Sequence, residues 1–274
     1  MTEISKTHFN IQPNLFKMYN LVLPSLGYRL LDACYDLGDN TWDARAESLD
    51  FYIYKGVNGV PIRLDIVDNG TGMGVKTLME SYRFAADTDH GPGELGKFGV
   101  GGTIACISMA TKKKTLTKTI DGELLIASLD ISDMKNNDSP ENSAYLRQPT
   151  ENEKEQFTAA VGNHGTIIRI ENFDLEKLEY QRAGVWRNAL VKNLGAVYRP
   201  YLECGKKINV HLVDTINPKK STTTAVVAKD PLYWDNDDIC IYKFEDKFEF
   251  NGSEIKIRFS ILNNDAIESG NKGY

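Results

Sequence analysis

The segment DLGDNTWDARA, residues 36–46, places an asparagine among three aspartates. In a helix, Asp36, Asn40 and Asp43 would lie at i, i+4 and i+7 and share one face, whereas Asp39 would point elsewhere. Like charges on one face repel each other unless a cation or hydrogen-bond donors lie in front of them. The segment therefore predicts either a site for a hard cation, held by oxygen ligands, or the solvated side of an amphipathic helix.

A second polar motif, DIVDNGTGM, begins as an apolar, strand-like run and contains Asp68, Gly70 and Gly72. A carboxylate at this place would repel phosphates, but it can accept a hydrogen bond from an exocyclic amine such as that of adenine. The glycines allow the backbone to turn sharply and to approach a planar ring. An Asn-Gly pair after a strand is also typical of an ordinary hairpin turn, so the motif alone leaves both interpretations open.

The segment GPGELGKFGVGGTIACISMA, residues 91–110, joins a glycine-rich stretch to an apolar run of helical length. A loop of this kind directs backbone N–H groups outward at the start of a helix, where they can bind an anion, and Lys97 would add a positive charge. No GK[ST] sequence ends the loop, so it is not a P-loop. A flexible loop without a ligand is the alternative interpretation.

A third short motif, NHGTIIRIENF, enters a strand through Gly165 and Thr166. The Thr166 hydroxyl could form a hydrogen bond with Asp68 or with a bound base. By itself, however, the motif is equally typical of an ordinary strand that begins with a β-branched residue.

The composition is that of an ordinary globular protein, with 274 residues, 41% hydrophobic and 26% charged. This length allows one large domain or two modest ones. No apolar run approaches the roughly 20 residues that cross a bilayer, and the opening residues are too polar for a signal peptide, so we expect a cytoplasmic protein without membrane contact. The four cysteines form no CxxC pair, which argues against a zinc site or a disulfide framework.

A formal charge of −6 argues against a surface that binds nucleic acid as a whole. A local basic patch at TKKKTLTK, residues 111–118, is one alternative, and the solvated start of a strand is the other.

Periodicity predicts a helix that carries the acidic segment and ends near Ser48, then two strands, SLDFYIYKG and PIRLDIVDNG. Further strands are expected at about 113–120, 123–131 and 165–171, with a polar surface insertion between the last two. A new unit is expected to open after ENFDLEKL with a helix and the strand KINVHLVD. Two final strands, joined by an Asn-Gly turn, complete the chain.

Taken together and in this order, the motifs resemble the GHKL ATPases over about residues 30–173. That superfamily includes type II topoisomerase ATPase subunits, MutL, the ninety-kilodalton heat-shock chaperone, MORC proteins and sensor histidine kinases. The resemblance implies a two-layer α/β (α+β) sandwich, the Bergerat ATP-binding fold, in residues 1–178. The start of a transducer-like (S5-like) α/β domain, truncated at its C-terminal end, is expected in residues 179–274.

The resemblance also implies roles for the acidic helix and for the residues near the base. Asn40 matches the asparagine that completes the magnesium shell, and Asp36 stands where hydrolytic members hold a glutamate that activates water. Asp43 is expected to support this site indirectly. Asp68 matches the aspartate that binds adenine, and Thr166 matches the threonine that shares a water with it.

The remaining nucleotide-binding residues follow from the same resemblance. Gly70, Gly72 and Met73 are expected to line the base pocket. The phosphate loop at the hinge of the ATP lid is expected to comprise Gly96, Lys97, Phe98, Gly99, Val100 and Gly101, with Lys97 also acting in catalysis. A lysine from the second domain, either Lys272 or one beyond this chain, would reach the γ-phosphate.

The function implied is magnesium-dependent ATP binding and slow hydrolysis that drives a conformational and dimerisation gate, in a DNA-handling protein related to MutL or MORC. The expected partners are ATP, a second copy of the chain in the ATP-bound state, and DNA through regions outside this chain. The alternatives are a chaperone of the heat-shock type and an ATP-binding gate with little or no hydrolysis. The latter follows from Asp36, whose side chain is one methylene shorter than the usual glutamate.

Overall fold

The computed structural model describes residues 17, 21–22, 25, 29–83, 101–132, 144–176 and 178–263. The helices are α1 (Leu30–Asp43), α2 (Val75–Glu80), α3 (Gly101–Met109), α4 (Glu151–Val161), α5 (Ala183–Val197) and α6 (Arg199–Glu203). The strands are β1 (Ser48–Lys55), β2 (Pro61–Asp68), β3 (Ala110–Lys118), β4 (Leu125–Asp130), β5 (Ala144–Arg147), β6 (Gly165–Phe173), β7 (Lys207–Asp214), β8 (Thr222–Ala225), β9 (Cys240–Phe250) and β10 (Ser253–Leu262).

The chain divides into two compact units. The first comprises Met1–Leu190 and Lys207–Ala225, and the second comprises Val191–Lys206 and Val226–Tyr274. In the part of the chain that the structure describes, no helix is both long enough and apolar enough to span a bilayer.

An eight-stranded mixed sheet in the order β5-β4-β3-β6-β2-β1-β7-β8 forms the framework of the first unit. Its strands pair antiparallel except β1 and β7, which are parallel. The expected mixed α/β architecture is confirmed. The strand KINVHLVD, which the sequence predicted within a second domain, is β7 and belongs to this sheet, so the division between the units does not fall at residue 178. The transducer-like character of residues 179–274 stays a prediction.

One cross-strand row of the sheet contains three polar residues, Asp68 on β2, Thr166 on β6 and Thr117 on β3. Successive side chains of a strand point to opposite faces, so this row faces one way and the preceding row of apolar residues faces the other. Helix α4 covers the apolar row through Phe157, which packs against a cluster that includes Val67. The polar row therefore lies on the face opposite α4.

Helices α2 and α3 pack on the same face as the polar row. Leu78 and Tyr82, in and just after α2, and Ile107 of α3 form a buried cluster with the inward side chains of β4. The Tyr82 hydroxyl donates to the Thr115 hydroxyl at 2.9 Å, which fixes α2 against β3 two residues before the polar row. The polar row therefore lies on the face of the sheet against which α2 and α3 pack.

Helix α1 is amphipathic, as its sequence predicts. Its buried residues recur at helical spacing, and they are Leu30, Ala33, Cys34, Leu37, Gly38, Thr41 and Trp42. The helix ends at Asp43 and not near Ser48 as predicted. Arg45 takes a left-handed conformation with φ of 58°, which stops the helix and turns the chain into β1.

The second unit contains the antiparallel hairpin β9–β10. Asn251 and Gly252, with φ of 50° and 77°, form the predicted Asn-Gly turn. The register places eight apolar side chains on one face of the hairpin, and they are Tyr242, Phe244, Phe248, Phe250, Ile255, Ile257, Phe259 and Ile261. Most of these side chains are strongly exposed.

The lysine run at the start of β3 is not the solvated or basic patch considered from sequence. Lys113 is only 3% exposed, and its Nζ lies 3.4 Å from both the Ser81 carbonyl and the Thr103 hydroxyl. The same amine lies 4.2 Å from the centre of the Tyr82 ring. Lys114, on the opposite face, forms an ion pair with Glu153 at 3.4 Å. Alternation along β3 thus sends adjacent lysines to different environments.

We predict that Lys113→Met stabilises the protein. Burial lowers the pKa of the Lys113 amine, so the unfolded state binds more protons, and this group destabilises the fold at all pH values below its unfolded pKa. Methionine keeps the length of the side chain without the charge. A gain of about 1 kcal/mol would raise Tm by about 2–4 °C, measured by thermal unfolding at pH 7. Lys112→Met, on the other face, is the control, and a lower Tm for Lys113→Met alone would contradict the prediction.

Candidate functional site

Asp68 lies at the end of β2 and is 8% exposed. Its Oδ1 accepts a hydrogen bond from the Gly70 N–H at 2.8 Å, and the Thr166 N–H also donates to the carboxylate. Burial nevertheless dominates and raises the pKa of Asp68 to about 7, although the two N–H donors and His164 oppose this effect. A carboxylate can accept about four hydrogen bonds, so Asp68 retains acceptor capacity for a ligand.

The residues after Asp68 form a tightly held loop, residues 69–73, here termed the base loop. The Asn69 Oδ1 accepts hydrogen bonds from the backbone N–H groups of Glu47 and Ser48, both at 2.9 Å. The Thr71 N–H donates to the carbonyl of Ala44 at 2.9 Å. The base loop is therefore fastened to the segment that links α1 and β1.

The far end of the base loop is fastened to β3. Gly72 has φ of 67°, and a Cβ atom there would lie 2.0 Å from the Lys118 carbonyl oxygen, so only glycine fits. The Met73 N–H donates to the Thr117 hydroxyl at 2.9 Å. The Met73 side chain packs against the buried cluster beneath α2 and α3. Gly72 and Met73 thus shape the loop that follows Asp68.

Thr166 lies beside Asp68, but its hydroxyl contacts a different residue from those expected. The Oγ1 atoms of Thr166 and Thr117 are 3.1 Å apart, and the Thr117 hydroxyl also donates to the Gly165 carbonyl at 3.1 Å. The contact from Thr166 to Asp68 is made by the backbone N–H. The threonine pair therefore joins β3 and β6 directly beside the carboxylate.

The polar face of α1 carries the acidic segment. Asp36 and Asp43 are half-buried, and Asn40 is exposed. The Asn40 Nδ2 donates to the backbone carbonyl of Asp36 at 3.0 Å, so the amide oxygen is the atom suited to bind a cation. Burial, followed by the charge of Asp39, raises the pKa of Asp36. A carboxylate with a raised pKa is a better proton acceptor.

The first turn of α3 lies beside Asn40. A Cβ atom at Gly102 would lie 3.7 Å from the Asn40 Nδ2, so the two helices approach closely at this point. Gly101 begins α3, and the first N–H groups of a helix have no partners within it. The structure thus brings Gly102, which directly follows the predicted phosphate-loop residue Gly101, close to the predicted cation ligand.

The other predicted residues of the phosphate loop lie outside the described residues, and they are Gly96, Lys97, Phe98, Gly99 and Val100. Lys272 also lies outside them. Within the described ranges, no group of three His, Cys, Asp or Glu side chains could hold a metal ion.

Three residues of this region were not singled out from sequence, namely Asn69, Thr117 and His164. The sequence predicts Asn69 only as part of an Asn-Gly turn, although asparagine often forms hydrogen bonds with nearby backbone groups. Thr117 belongs to KTLTK, where polar residues alternate with Leu116 in a strand, and this alternation was the available signal. His164 gave no signal beyond its position before Gly165.

The mixed sheet and its helices form the α/β sandwich of the GHKL ATPases. Residues 28–166 match the family described as histidine kinase-, DNA gyrase B- and HSP90-like ATPases, and this match covers more than half of the 274-residue chain. The chain belongs to this ATPase family. No curated protein sequence matches it. Family membership supports ATP binding and allows for its hydrolysis.

We predict that Asp68→Asn does not destabilise the nucleotide-free protein at pH 8. Burial raises the pKa of Asp68 from the usual range of an aspartate to about 7, so its charge opposes folding increasingly as the pH rises from about 4 to about 7. A pKa difference of one unit corresponds to about 1.4 kcal/mol, so the charge of Asp68 lowers the free energy of unfolding by at most about 4 kcal/mol.

Denaturant unfolding between pH 4 and pH 8 tests this prediction. The wild type is expected to lose stability relative to Asp68→Asn across that range. The prediction is wrong if the difference in free energy of unfolding between the two proteins is independent of pH.

Proposed function

We propose that this protein binds magnesium ATP between the base loop and the facing ends of α1 and α3, and that it hydrolyses ATP slowly to drive a conformational and dimerisation gate. The observation that carries the proposal is the row formed by Asp68, Thr166 and Thr117. This row brings together the nearly buried Asp68 carboxylate, two backbone N–H groups that donate to it and the tightly held base loop. Family membership supports this assignment.

Asp68 is proposed to accept a hydrogen bond from the adenine amine. The site is selective because a buried acceptor binds a donor strongly and pairs poorly with another acceptor. Gly70 and Gly72 allow the backbone to lie close to the ring, and Met73 supports the base loop from beneath. The Thr166 hydroxyl is paired with Thr117, and its proposed contact with a shared water would be additional to that bond.

Asn40 and the first turn of α3 are proposed to hold the phosphate end. The residues fit a magnesium ion, because Asn40 offers a neutral oxygen on an exposed face and Mg²⁺ commonly binds one or two protein ligands together with substrate phosphates. When bound, the ion neutralises phosphate charge. The N–H groups at the start of α3 would stabilise the phosphate oxygens, and Gly101 and Gly102 leave them accessible. The proposed contribution of Lys97 and its neighbours rests on the sequence resemblance.

Asp36 is proposed to act as the general base. It would accept a proton from the water that attacks the γ-phosphorus, while the bond to the β–γ bridging oxygen breaks and ADP leaves. Its raised pKa favours this role, and its short side chain argues for slow turnover. Asp43 lies about two turns beyond Asp36 and one turn beyond Asn40 on α1, and it is proposed to support Asn40. The short side chain of Asp36 also favours the second candidate function, a gate that binds ATP and scarcely hydrolyses it.

DNA handling remains part of the proposal through regions other than the lysine run of β3. Lys113 is buried and Lys114 is paired, so this run does not present a continuous basic surface. The DNA-handling role rests on the resemblance of the sequence motifs to those of MutL and MORC proteins. A chaperone role is the competing assignment.

We predict that Asp68→Asn abolishes ATP binding, whereas Asp36→Ala keeps binding and removes turnover. Loss of the adenine acceptor removes base recognition, and loss of a general base slows hydrolysis by about 100-fold or more. Isothermal titration with ATP and a magnesium-dependent phosphate-release assay measure the two properties separately. Alanine is a good helix former, so Asp36→Ala should preserve α1.

The matched control is Asp32→Ala, which removes only a surface ion pair with Arg29 from the first turn of the same helix. It should bind and hydrolyse ATP like the wild type. Equal ATP affinity in wild type and Asp68→Asn would contradict the proposed base site. Tight binding without turnover in both wild type and Asp36→Ala would support the non-hydrolytic gate.

We predict that a non-hydrolysable ATP analogue with magnesium converts the protein to a dimer, because a gate must couple nucleotide binding to a second state. Light scattering after size exclusion should show twice the monomer mass with the analogue. Asp68→Asn should remain monomeric under the same conditions. A wild-type protein that binds the analogue but stays monomeric would contradict the dimerisation gate while leaving the ATP site intact.

A further inference from the structure

His164 contacts the base loop although it lies 94 residues from Gly70 in sequence. Its Nδ1 is 2.6 Å from the Gly70 carbonyl oxygen. A carbonyl can only accept a hydrogen bond, so Nδ1 carries the hydrogen and donates it. The ring is partly buried.

The turn that carries His164 approaches the base loop closely. Gly165 has φ of 138°, and a Cβ atom there would lie 2.2 Å from the Asp68 carbonyl oxygen and 2.9 Å from the Asn69 Cα. Gly162, with φ of 92°, ends α4 and begins this turn. The backbone from α4 to β6 therefore lies directly against the Asp68 turn and directs His164 toward it.

With the His164 contact, both backbone polar groups of Gly70 form hydrogen bonds. Its N–H donates to the Asp68 carboxylate at 2.8 Å, and its carbonyl accepts from His164 at 2.6 Å. Both polar groups of this residue are thus held by side chains, one from β2 and one from the turn before β6. Rotation of either peptide group that flanks the Gly70 Cα would break one of these bonds, and rotation of the first would also move the N–H that donates to Asp68.

We propose that His164 is a positioning residue that holds the Gly70 carbonyl through Nδ1–H, and thereby sets the affinity of the base loop for adenine. This inference rests on the proposed ATP site and deepens it. His164 acts through Gly70 and Asp68 and needs no contact with the nucleotide. Because Asp36 and Asn40 act at the phosphate end, His164 governs binding and leaves the rate of the chemical step unchanged.

The test compares His164→Ala with His164→Asn. The asparagine side chain can place an N–H group where Nδ1–H lies in histidine, without the imidazole ring. His164→Ala should weaken ATP binding about tenfold, a typical effect of leaving a polar group without its partner. His164→Asn should bind within about twofold of the wild type. The turnover rate at saturating ATP should be unchanged in both variants.

The control is Asn163→Ala, whose side chain accepts only a 3.4 Å hydrogen bond from Lys118 in the described structure. It should match the wild type. Amide hydrogen exchange of residues 69–73 without nucleotide provides a readout that is independent of ATP. His164→Ala should speed exchange in this segment, and His164→Asn should restore protection.

The outcomes separate the two proposals. Unchanged exchange in His164→Ala, or equal loss of affinity in the alanine and asparagine variants, would overturn the role of Nδ1–H. Faster exchange without a change in ATP affinity would overturn the link to adenine. If the wild type itself does not bind ATP, the proposed function fails and the adenine role of His164 fails with it, while the exchange data still report whether His164 holds the loop.

Discussion

The burial of the Asp68 carboxylate at the end of a central strand is the constraint that the rest of this site satisfies. A charge in that position opposes folding unless donors surround it, and the protein supplies N–H groups from the base loop and from β6. Supplying them requires β2 and β6 to be neighbours in fixed register, with Thr117 beside them on β3. Burial of Asp68 lowers the stability of the fold, and the carboxylate keeps further acceptor capacity that a ligand with a hydrogen-bond donor could use.

The proposed phosphate end is positioned by the packing of helices and not by strand register. Asn40 and Gly102 lie on two helices, and their proximity depends on α1 and α3 packing side by side over the sheet. Buried Lys113 contacts the residue that follows α2 and the first turn of α3 from below. Strand register thus positions the proposed base side, and helix packing positions the proposed phosphate side.

Local sequence predicted the features that depend on neighbouring residues. The strands on either side of Val57–Gly59, the position of Asp68 at a strand end and the Asn-Gly turn of β9–β10 all follow from periodicity and turn chemistry. The features that were missed depend on long-range pairing. Thr117 reaches Thr166 only because β3 and β6 are neighbours, and Lys113 is buried only because α2 and α3 cover its face. The early end of α1 depends on the left-handed backbone of Arg45, a residue type that gives no such signal.

The parallel pairing of β1 with β7 determines how much of the chain is needed to complete this edge of β1. Ser48 pairs with Lys207 and Lys55 with Asp214, so partners separated by about 160 residues complete one edge of β1. Until β7 has emerged during synthesis, that edge carries unpaired backbone groups next to the buried Leu49, Phe51 and Ile53. A fragment that ends at residue 178 would retain the matched family segment, but one edge of β1 would have no strand partner and could pair with other chains. The compact unit that contains the matched family segment accordingly includes β7 and β8, which lie within Lys207–Ala225.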